Sequence, residues 1–98
     1  MALKKDKKKV IGEHFSDDRI RSFLDHQAPE GINPDFHVLE KAYRGMIPEN
    51  FATFVRFFVE DRRDINATDP EGRTLLQQVQ EHRYGEEYAQ ALRDAGAK

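Results

Sequence analysis

The stretch Phe51–Val59 constrains this chain more than any other. Phe51, Phe54, Val55, Phe58 and Val59 recur at steps of three and four residues. That period puts them on one stripe of an α-helix, whereas a strand would send alternate side chains to opposite faces. Three phenylalanines on one stripe need a surface to pack against, so the chain must fold by laying helices against this one. The helix is expected over Glu49–Asp61, opened by Pro48, whose fixed φ suits a first helical turn. Phe57 sits at the edge of the stripe, as a second-layer core residue or an exposed anchor.

Four further helices follow from local signals. Ser16 is a good N-cap for a helix over Asp17–His26, with Asp17 and Asp18 at the positive end of its dipole. Phe15 and Ile20 have hydrophobic-staple spacing, and Ile20, Phe23 and Leu24 share a face. Asn33 and Pro34 open a helix over Pro34–Arg44 that buries Phe36, Leu39, Ala42 and Tyr43, with Gly45 expected in the left-handed conformation at its end. Arg62–Arg73 reads as an extended loop with a turn at Asp69-Pro70-Glu71-Gly72. Thr74 and Gln77 form a T-x-x-Q capping box for a fourth helix, from Leu75 to near Gly85, that buries Leu75, Leu76 and Val79. The last helix, Glu86–Ala95, places Tyr88, Ala91, Leu92 and Ala95 on one face and stops at Gly96. The expectation is all-α: five helices and no strand, with short connections favouring antiparallel hairpins.

Ninety-eight residues make a single domain. Leu, Ile, Val and Phe supply 23 of them, above the ~20% level below which chains tend to stay disordered. No apolar run approaches a membrane span, and the charged opening is unlike a signal peptide. The absence of cysteine removes disulfides, thiolate chemistry and Cys-based zinc sites, and a cytoplasmic address fits. Net charge is −2 but uneven: Lys4, Lys5, Lys7, Lys8 and Lys9 against Asp6 make the opening segment +4, which leaves −6 on the rest. Residues 1–14 therefore read as a basic, flexible arm, and 15–98 as the folded domain.

One segment resembles a known repeat. Asp64-Ile65-Asn66-Ala67 is similar to the D-V-N-A entry of an ankyrin repeat; Asp69, Gly72, Thr74 and Leu76 match D-x-x-G-x-T-x-L; and Leu92-Arg93-Asp94-Ala95-Gly96-Ala97 resembles the closing L-L-x-x-G-A. A degenerate copy lies upstream, where Gly31-Ile32-Asn33 precedes Asp64-Ile65-Asn66 by 33 residues, the ankyrin period. Together the copies cover about two-thirds of the chain. The departures are Leu75 in place of the proline after Thr74, Gln77 where histidine is usual, and Val79-Gln80 for a small pair. The resemblance implies two stacked antiparallel helical hairpins with a projecting loop, and Asp17–His26 as a cap over the first pair. An unrelated five-helix domain with one ankyrin-like loop is the alternative. The whole chain also resembles small bacterial proteins of unassigned function.

Little points to catalysis. His14, His26, His37 and His82 have no metal-binding spacing. Asp64, Asn66 and Thr68 look like the start of a calcium loop, but Asp69 replaces its glycine and Leu75 its bidentate acid. There is no phosphate-binding glycine motif and no nucleophile context around Ser16 or Ser22. The expected function is therefore a non-catalytic protein–protein interaction module without cofactor or metal, monomeric or weakly dimeric. Its partner-binding residues would be Thr68, Asp69, Glu71 and Arg73 at the loop tip, with Arg62 and Arg63 alongside. The competing expectation is that the same residues merely solvate and shape the turn. The alternative is nucleic-acid or ribosome association through Lys4, Lys5, Lys7, Lys8 and Lys9, whose lysine contacts would be strongly salt-dependent.

Overall fold

The computed structural model describes residues 14–98. They form α1 (Asp17–Ser22), a 3-10 turn (Phe23–Asp25), α2 (Pro34–Gly45), α3 (Pro48–Glu60), α4 (Leu75–Val79) and α5 (Glu86–Asp94). Among the described residues there is no strand, only an isolated bridge between Thr68 and Thr74. No described helix is long and apolar enough to cross a membrane.

Helix α3 is the centre of the domain. It packs against α1, α2 and α5, and α4 completes the arrangement by touching α5 and α2. Enclosure on three sides explains why α3 is apolar over more than one stripe. Phe51, Phe54 and Phe58 are fully buried, together with Leu39, Leu75, Leu92, Val38 and Val79 from the neighbouring helices. Phe57, at the edge of the expected stripe, is also buried, because α1 covers it and the Arg21 guanidinium lies 3.8 Å from its ring centroid. Val59, expected inside, is 40% exposed. It continues the side of α3 that carries Ala52 and Arg56, and both of these are exposed.

Several boundaries differ from the sequence reading. The first helix gives way to the 3-10 turn after Ser22, whose hydroxyl donates to the Arg19 carbonyl and competes with the helical ladder. The turn brings Phe23 against Gly45. Gly45 is not left-handed; it is the last residue of α2, and a Cβ there would stand 3.2 Å from the Phe23 ring. The close approach of that ring, rather than backbone freedom, explains the glycine. Helix α4 ends at Val79, not near Gly85. Residues 80–84 turn back instead, and Gly85 becomes the N-cap of α5. A Cβ at Gly85 would lie 2.4 Å from the Val79 carbonyl oxygen, so only glycine lets the two segments meet this closely.

The caps agree with the sequence. Ser16 Oγ accepts from the Arg19 N–H at 3.2 Å, and Asn33 Oδ1 from the N–H groups of Asp35 and Phe36 at 2.8 and 3.2 Å. The Thr74–Gln77 box is complete in both directions. Gly96, at φ 102°, closes α5 in a Schellman motif: the Ala97 N–H reaches the Leu92 carbonyl and the Gly96 N–H that of Arg93.

Candidate functional site

The loop that follows α3 begins with the same terminal motif, built on an unusual residue. The Arg63 N–H donates to the Phe58 carbonyl at 3.2 Å, and the Arg62 N–H to that of Val59 at 2.9 Å. Arg62 therefore occupies the left-handed position that glycine normally takes, at φ 61°. It is exposed. Holding a residue with a Cβ there costs about 1–2 kcal/mol.

Arg63 is turned inward. Its guanidinium donates to Asp61 at 2.9 Å, to Asp35 at 3.3 Å and to the Leu24 carbonyl at 3.1 Å. Its side chain is only 24% exposed. The second Asp35 oxygen accepts from the Asp64 N–H at 2.9 Å. These bonds tie the loop to the first turn of α2 and to the 3-10 turn. The chain after α5 is tied in as well: Asn66 Oδ1 accepts from the Lys98 N–H at 2.9 Å, and Ile65, Ala67 and Ala97 are buried. This is what joins Asp64-Ile65-Asn66-Ala67 to the Gly96-Ala97 end.

The tip is organised around Asp69. Its Oδ1 accepts from the N–H groups of Glu71 and Arg73, both at 2.9 Å, and its Oδ2 from Gln78 Nε2 at 3.1 Å. The Asp69 N–H donates to the Arg73 carbonyl at 2.9 Å, while the Gly72 N–H closes the turn on the Asp69 carbonyl. Gly72 has φ 83°, as the turn chemistry requires. Arg73 pairs with Glu81 at 2.8 Å.

Of the six residues expected to meet a partner, Arg63, Asp69 and Arg73 thus have intramolecular bonds that shape the loop. Arg62, Thr68 and Glu71 are exposed. The five arm lysines, Lys4, Lys5, Lys7, Lys8 and Lys9, lie outside the described residues. No group of three or more metal-ligating side chains occurs among the described residues.

The turn after α4 contributes to a cluster that the sequence reading did not assemble. Tyr43 and Arg44 at the end of α2, His82, Arg83 and Tyr84 in the turn before α5, and Tyr88 in α5 line an open cleft of about 480 Å³. Tyr43 stacks on His82 with ring centroids 5.6 Å apart and meets Tyr88 edge-on at 4.8 Å. The Tyr43 hydroxyl shares a hydrogen bond with His82 Nδ1, and the Tyr88 hydroxyl donates to the Met46 carbonyl. Burial pushes both phenols above the usual tyrosine pKa; Arg44 partly opposes this at Tyr43, whereas Tyr43 and Glu87 add to it at Tyr88. The only sequence signal was the adjacency of arginine and tyrosine in Tyr43-Arg44 and Arg83-Tyr84, pairs that lie about 40 residues apart.

Comparison with family models, curated proteins and solved structures gives no match.

Proposed function

We propose that this domain is a non-catalytic interaction module that presents the loop after α3 to a protein partner. The observation that carries this reading is the construction of the tip. One carboxylate, Asp69, fixes the turn through three hydrogen bonds, while Thr68, Glu71 and, earlier in the loop, Arg62 remain exposed. A preorganised polar projection loses little conformational entropy on binding, and its charges set partner specificity. The strained Arg62 supports the same reading. Glycine would suit its backbone better, and an exposed guanidinium held in this left-handed position supports a use for the side chain.

We also infer that the helices are arranged as two ankyrin-like hairpins, and the pairing of elements supports this. The first helices of the two hairpins, α2 and α4, touch each other, as do the second helices, α3 and α5. The α1 segment covers the far side of the upstream pair, where a cap is needed.

The test is capture of partners from the native cell with the intact chain, with Arg62→Glu and with Glu71→Lys. A partner held by the intact chain should be lost from both variants at unchanged melting temperature. Recovery of the same proteins by all three chains would remove the loop assignment. Recovery of nucleic acid alone, abolished by replacing the five arm lysines with glutamine, would transfer the function to the arm.

A further inference from the structure

The cleft lined by Tyr43, Arg44, His82, Arg83, Tyr84 and Tyr88 combines features suited to one class of small ligand. Two of its flanking acids are already engaged, Glu81 by Arg73 at 2.8 Å and Glu86 by Arg93 at 2.9 Å, while Glu87 beside Tyr88 forms no ion pair among the described residues. Arg83 has no ion pair among the described residues and only borders the Tyr84 ring, 5.9 Å from its centroid. Arg44 reaches Glu40 only at 3.4 Å, and its side chain stays 71% exposed. The Tyr43 hydroxyl occupies His82 Nδ1, so Nε2 is the ring nitrogen left to meet a ligand. Beside these donors stands Tyr84, 84% exposed and outside the core.

We propose that this cleft binds a nucleoside phosphate, with the phosphate held by Arg44, Arg83 and His82 and the base stacked on Tyr84. Two guanidinium groups and an imidazole lining one cleft suit a phosphate. An exposed aromatic ring adds a stacking surface that any base can use. A phosphotyrosine fits less well, because its phosphate lies at the far end of its own ring and calls for cations at the bottom of a deep pocket. Here the cations line a shallow, open cleft beside the exposed ring, which suits a ligand whose phosphate and ring lie side by side. A free nucleotide and a nucleotide within a single strand share this chemistry, and the open shape admits either. The site adjoins the loop tip, since Glu81 next to His82 pairs with Arg73, and it supplies the aromatic surface that the lysine arm lacks.

The test is fluorescence anisotropy of the full chain with an end-labelled ten-residue oligouridylate, with unlabelled UMP and a phosphotyrosine peptide as competitors. Tyr84→Ala should weaken binding about tenfold and Tyr84→Phe should restore it, since stacking needs the ring and not the hydroxyl. Arg44→Gln and Arg83→Gln should each reduce the slope of log affinity against log salt by about 0.7. Circular dichroism confirms that each variant is folded. Competition by UMP at similar concentration supports a free nucleotide; preference for the strand supports a nucleic-acid segment. The proposal is overturned if neither oligouridylate nor UMP binds, or if Tyr84→Ala binds as the intact chain does. It is equally overturned if replacing Lys4, Lys5, Lys7, Lys8 and Lys9 by glutamine abolishes all binding, or if only the phosphotyrosine peptide competes.

Discussion

Replacing Gly85 by alanine tests the packing of the two final helices directly. Gly85 has φ −92° and ψ −4°, a conformation that alanine adopts freely. On backbone grounds alone the substitution should stabilise the protein by about 0.4–1 kcal/mol, because alanine restricts the unfolded chain. The structure reverses that sign. The added Cβ would stand 2.4 Å from the Val79 carbonyl oxygen and 2.8 Å from Val79 Cγ1. Relief requires the start of α5 to move away from the end of α4 by most of an ångström, which disturbs the contacts of buried Val79, Ala89 and Leu92. Overpacking of this kind costs about 1–3 kcal/mol, and a rigid backbone oxygen as the obstacle puts the cost at the upper end. The net loss is about 2 kcal/mol, or roughly 10 °C in melting temperature for a domain of this size. Thermal and urea unfolding followed by circular dichroism will measure it. A Gly85→Ala variant that melts at or above the temperature of the intact chain would refute the close approach of α4 and α5.

Two other perturbations probe the loop anchor and the tyrosine pair. Arg63→Ala should destabilise the domain by about 1–2 kcal/mol, since it removes bonds to Asp35, Asp61 and the Leu24 carbonyl, and urea unfolding reads the change. Tyr43 and Tyr88 have folded-state pKa values above the ordinary value of 10.0. Their neutral forms are therefore favoured in the fold. Above about pH 10 the unfolded chain loses these protons first, so stability holds below that pH and falls as pH rises toward the folded-state values. Melting temperatures between pH 9 and pH 11 should show the decline, with a shallower slope in Tyr88→Phe.

Local sequence determined the parts of this protein that depend on neighbours a few residues away. Ser16, Asn33 and the Thr74–Gln77 pair open their helices because a side chain three residues or fewer from a free N–H can reach it whatever the rest of the chain does. Gly72 and Gly96 take positive φ for equally local reasons, and the 3- and 4-residue rhythm of the phenylalanines required helices packed on α3. Tertiary structure decided what depends on which surfaces meet. Phe57 went inside and Val59 outside because α1 covers one side of α3 and leaves the other open. Gly45 and Gly85 are there to admit Phe23 and Val79, contacts that their own neighbours could not reveal. Arg63 faces the fold because Asp35, nearly thirty residues upstream, lies beside it. The aromatic and basic cleft exists only because folding brings Tyr43-Arg44 to His82-Arg83-Tyr84, and no local rule specifies an encounter across that distance in the chain.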